Sequence, residues 1–86
     1  MKSFLLKISS PEGDIFYGDA VRLSVRGTEG ELAVMAGHIP FVSYVKPCDC
    51  RIQVDDETEK VGYIQSGVLT VSKEKTILLC GDFTWK

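Results

Sequence analysis

The chain has 86 residues, of which 44 % are apolar and 26 % charged, and its 10 basic and 12 acidic side chains leave a formal net charge of -2. This is length for a single domain over residues 1–86 with a thin stability margin, because so short a chain hides only about 60 to 65 % of its unfolded surface, and it is too apolar for a disordered tail. Neither charge forms a run able to track a phosphate backbone, which argues against nucleic acid, and no segment nears the roughly 20 apolar residues of a spanning helix.

The opening "MKSFLLKISS" is interrupted by Lys7 and lacks a small-residue cleavage site, so no signal peptide is expected and a cytoplasmic protein is. Within it, "FLLKIS" places Phe4, Leu6 and Ile8 on one side of a strand, and "PEGD" turns the chain into a hairpin. "IFYG" reads as a short strand. In "DAVRLSVRG", Val21, Leu23 and Val25 alternate with Arg22, Ser24 and Arg26, the pattern of a half-buried strand. "ELAVM" and "PFVSYV" follow as strands. Cys50 to Val54 and Val61 to Gln65 flank an acidic tip of Asp55, Asp56, Glu57 and Glu59. Val68 to Val71 and Thr76 to Cys80 form a last hairpin about "SKEK", and the strands are expected to be complete at Cys80. No window of eleven residues carries a helical stripe, and β-branched and aromatic residues crowd the strands. The fold class expected is all-β, a two-sheet sandwich of about eight to ten short, mostly antiparallel strands.

Cys48, Cys50 and Cys80 are an odd set in a chain without an export signal, which argues against a disulfide framework. A zinc site would need all three together with His38, and buried small apolar residues on strands are the preferred reading, with no metal or cofactor expected. Residues 27 to 40, "GTEGELAVMAGHIP", hold the sole histidine, yet His38 lacks the activated nucleophile or paired base that catalysis needs and reads as structural or interfacial. The spacing of Gly27, Gly30 and Gly37 matches neither a dinucleotide nor a phosphate-loop fingerprint. Positive backbone dihedrals in tight turns are the expected role of all three. Trp85 is either a cap over the sandwich edge or an exposed partner contact.

"PEGDIFYG", "GTEGELAVMAGHIPF" and "SGVLTV", in this order and spacing, resemble the N-terminal β-sandwich of the epsilon subunit of bacterial F-type ATP synthases, with similarity running from Phe4 to Cys80. The resemblance implies a non-catalytic rotor domain in the central stalk, bridging the gamma subunit and the c-ring and coupling ion translocation to ATP synthesis. It implies that Glu29 and Glu31 face the c-ring, that Ser10, His38, Val42 and Ser43 face gamma, and that the domain is peripheral to the cytoplasmic face of the bacterial inner membrane. The family's usual proline before Gly-His is Ala36 here, and "CDC" at residues 48 to 50 stands where glycine and apolar residues are common. Most members continue as a two-helix hairpin that inhibits hydrolysis and in some binds ATP; a chain stopping at Lys86 is expected to lack both properties. The competing classes are a free-standing β-sandwich binding a ligand or peptide at an edge strand and a small metalloenzyme built on His38 and the cysteines.

Overall fold

A computed structural model describes residues 2–37 and 39–86; His38 lies outside them. Ten strands are found among the described residues, and no helix. They are β1 (Phe4–Ser10), β2 (Gly13–Ala20), β3 (Arg22–Gly27), β4 (Gly30–Val34), β5 (Phe41–Val45), β6 (Cys48–Gln53), β7 (Glu59–Ile64), β8 (Gly67–Val71), β9 (Thr76–Cys80) and β10 (Phe83–Trp85).

The hydrogen-bonded path runs β10-β7-β6-β3-β5-β8-β9-β1-β2, with β4 on the other side of β3. A single bridge, Gly27 to Val45, joins the halves. One layer is therefore β5-β8-β9-β1-β2 and the other β10-β7-β6-β3-β4. β1 and β9 run parallel; the other ladders among the described residues are antiparallel.

Period-two alternation builds the core between the layers. Leu6, Ile8, Leu69 and Leu78 from the first layer and Leu23, Ile52 and Ile64 from the second are fully buried. Each such side chain contributes about 1.5 to 3 kcal/mol through removal from water. Phe4, Leu6 and Ile8 turn inward together, as the alternation of β1 predicts, and Leu23 and Val25 are buried while Arg22 and Arg26 are exposed.

Four expectations need correction. The strands are not complete at Cys80, because "FTW" adds β10 along β7, with Trp85 opposite Gly62. β2 spans Gly13–Ala20, well beyond "IFYG", since pairing with β1 carries polar residues that periodicity alone rejects. Cys48 opens β6, and Glu59 lies in β7 opposite Gln53, outside the turn. Finally, Gly30 and Gly37 have φ of 124° and 85°, as expected of turn glycines, but Gly27 has no positive φ. Gly27 is buried, and a Cβ there would lie 2.8 Å from Leu32 Cδ1. A side chain there would push on Leu32 and on the Ser43 hydroxyl at the junction between the layers.

The acidic tip has its own local logic. Asp55 accepts hydrogen bonds from the backbone N–H groups of Glu57 (2.9 Å) and Thr58 (2.8 Å), so its side chain shapes the β6–β7 turn. These bonds, that from Glu57 foremost, hold its carboxyl below the ordinary value.

Candidate interaction surfaces

The outer side of the first layer is unusually apolar. Its register sets Val42, Thr70, Ile77, Lys7 and Tyr17 in one cross-strand row and Tyr44, Val68, Leu79 and Ser9 in the next. Val42 is 69 % exposed, Tyr44 72 %, Tyr17 65 % and Leu79 53 %. Side chains of this kind scattered singly need no explanation, but grouped on one sheet face they mark a surface suited to another body. Lys7 reaches Asp14 at 3.7 Å, placing the charged part of this face on β1 and β2.

The residues assigned by resemblance fall on different parts of the molecule. Val42 lies in the first outer row. Ser43, its neighbour, points to the inner side in register with Leu69, and its hydroxyl donates to the Tyr44 carbonyl at 3.1 Å. Ser10 ends β1, donates to the Gly13 carbonyl at 3.3 Å and accepts from the Glu12 N–H at 3.3 Å, which ties the β1–β2 turn. His38 is outside the described residues. Glu29 sits in the turn between β3 and β4, and Glu31 follows on β4 opposite Arg26; both are exposed. Glu29, Glu31 and Ser43 line one depression of about 280 Å³ at that end of the sandwich.

Tyr17, Tyr44, Ile77 and Leu79 were absent from the sequence reading of the surface. A signal for three of them existed: "FVSYV" and "TILLC" carry apolar residues at both parities of the alternation, so one set had to face outward.

The thiols belong to the interior. Cys50 is fully buried and Cys80 nearly so. Burial pushes the Cys50 thiol up to about 12, with the neighbouring thiols of Cys48 and Cys80 adding to the effect, and burial followed by the charge of Asp82 raises Cys80. Such thiols stay protonated and poorly nucleophilic. Cys48 is half-buried, and its Sγ accepts the Arg26 N–H at 3.2 Å. Among the described residues no three His, Cys, Asp or Glu side chains are grouped to hold a metal ion, and no helix is long and apolar enough to cross a membrane.

The sequence matches, over residues 3–86, the family described as ATP synthase, Delta/Epsilon chain, beta-sandwich domain. An ATP synthase epsilon chain from Clostridium novyi (strain NT) is 33 % identical over 84 residues, covering 98 % of this chain and 64 % of that relative. Among solved structures, a chain of the Euglena gracilis mitochondrial ATP synthase, in a structure of its OSCP, F1 and c-ring, superimposes with a TM-score of 0.90 at 18 % identity, covering 96 % of this chain and 53 % of that one. A chain from the central stalk and c-ring structure of the Tetrahymena thermophila mitochondrial ATP synthase gives 0.80 at 10 % identity, covering 95 % of this chain and 66 % of that one. At those identities the structural likeness speaks for the fold. The match across the β-sandwich and the identity to the Clostridium chain show that this chain belongs to the family of ATP synthase delta/epsilon chain β-sandwich domains.

Proposed function

We propose that the domain is a non-catalytic part of the central stalk of an F-type ATP synthase, joining the gamma subunit to the c-ring so that rotation of one becomes rotation of the other. The observation that carries this reading is the apolar outer face of β5, β8 and β9 on a chain of this family. A face exposing Val42, Tyr44 and Leu79 suits a permanent partner, and gamma is the neighbour assigned to it.

The β3–β4 hairpin, with Glu29 and Glu31, is assigned to the c-ring. Exposed carboxylates of this kind contribute only ~0 to 1 kcal/mol per ion pair, so their role is orientation and register. A close-packed two-layer body transmits strain with little compliance, which suits a torque-bearing connector. The domain would stand at the cytoplasmic face of a bacterial inner membrane, held there through the complex.

The test is copurification from the native cell. Gamma and the c-ring should accompany the wild-type chain, and Val42→Asp combined with Tyr44→Asp should lose gamma while remaining folded. Recovery of neither neighbour with the wild-type chain sinks the reading.

A further inference from the structure

The second layer presents a face of opposite character. All three arginines of the chain, Arg22, Arg26 and Arg51, lie on its outer side. On β3 the two exposed arginines alternate with the buried Leu23 and Val25, so Arg22, Ser24 and Arg26 share the outer side, and Arg51 on β6 stands opposite Ser24. The small side chain of Ser24 leaves room among the three long ones. Two depressions of about 380 and 280 Å³ result, and they share Ser24, Glu31 and Arg51, so together they form one elongated trough.

The carboxylates nearby are mostly engaged. Glu59 is bound by Arg51 at 3.2 Å and Asp49 by Lys86 at 2.8 Å. Arg22 and Arg26 enter none of the ion pairs found among the described residues, leaving Glu31 as the carboxylate in the trough without such a pair. The trough is lined by three arginines and by the carboxylates of Glu31, Asp49 and Glu59, and Lys86, which holds Asp49 from beside it, gives the surrounding face one cation in excess in a chain whose formal net charge is -2.

We infer that this trough is a docking surface for an acidic segment of a protein partner, a second contact that rests on the stalk assignment proposed above. Arginine carries a planar fork that grips carboxylates through two parallel hydrogen bonds, which a lysine ammonium cannot do. Arg22 and Arg26, four residues apart on one strand, stand roughly 13 Å from each other along the trough. That separation suits two carboxylates spaced along a segment better than one compact anion. Glu31, directly across from Arg26 on β4, also repels a multiply charged phosphate at that end more than a single carboxylate.

The experiment measures association of the chain with the purified remainder of the complex, stripped of this chain, across a range of salt. Arg22→Glu with Arg26→Glu is expected to slow association about tenfold at low salt and to flatten its salt dependence, as loss of steering charges does. Arg22→Lys with Arg26→Lys should keep the salt dependence and dissociate faster, because charge survives and the fork does not. A wild-type chain that binds with kinetics matched by the double Glu variant overturns the inference and leaves the stalk assignment standing. A wild-type chain that does not bind overturns both. In a parallel arm, arginine-dependent binding of the free chain to phosphatidylglycerol vesicles, with no effect of either variant on assembly, overturns it in favour of lipid phosphate.

Discussion

The ring of Phe83 rests on Gly62. A Cβ at residue 62 would collide with Phe83 Cζ, so the absence of a side chain on β7 is what lets β10 lie down. Phe83 meets Trp85 edge to face with ring centroids 4.8 Å apart, and Lys60 Nζ stands 5.8 Å from the Trp85 ring and 5.9 Å from that of Phe16. The Lys60 ammonium thus bridges an aromatic ring on each of the two terminal strands of the hydrogen-bonded path. Gly62→Ala should cost about 1 to 3 kcal/mol, the usual range for overpacking, measured by urea denaturation. Combining it with Phe83→Ala should cost less than the sum of the two single changes, because the collision disappears with the ring.

Leu69 is fully buried in the middle of β8. Leu69→Ala should lower stability by about 2 to 5 kcal/mol through lost transfer energy and the cavity left behind. In a small domain that is a large share of the total, so the thermal midpoint should fall well below that of the wild-type protein. An unchanged midpoint would contradict the inward placement of β8.

Glu31 is exposed on β4. Glu31→Lys should shift the stability of the isolated chain by no more than about 0.5 kcal/mol, while coupling of ATP hydrolysis to ion pumping falls in the assembled enzyme. Unfolding of the isolated variant would show that Glu31 has a structural role instead.

Acid should loosen the β6–β7 turn. The folded-state carboxyl of Asp55 lies below its ordinary value because it accepts backbone N–H bonds, the one from Glu57 foremost. The unfolded chain therefore binds the proton more readily in that window, so the turn's contribution is present above the ordinary aspartate range and is lost as pH falls through the lowered value. Asp49 behaves alike, chiefly through the hydrogen bond from Lys86. Asp55→Asn should flatten the fall in thermal midpoint between neutral and acid pH; an identical acid limb in wild type and variant would refute this role.

Local chemistry alone determined much of this protein. Alternation in "FLLKIS" and "VRLSVR" announced strands and their inward sides, Pro11 and Gly13 announced a turn, and Leu6, Ile8, Leu23 and Val25 could be named as core before any coordinate was known. These features are legible because side chains on a strand point alternately to opposite sides, whatever lies beyond them.

Position in three dimensions decided the rest. That Gly27 sits against Leu32 and Ser43 with no need of a positive φ, and that "FTW" lies along the notch at Gly62, are set by strands that meet only in the folded chain. The grouping of Val42, Tyr44, Tyr17 and Leu79 on one outer face, and of three arginines around Ser24 on the other, arises from pairing between strands distant in the chain. A linear pattern gives the parity of each strand but not its neighbours, and a surface is made of neighbours.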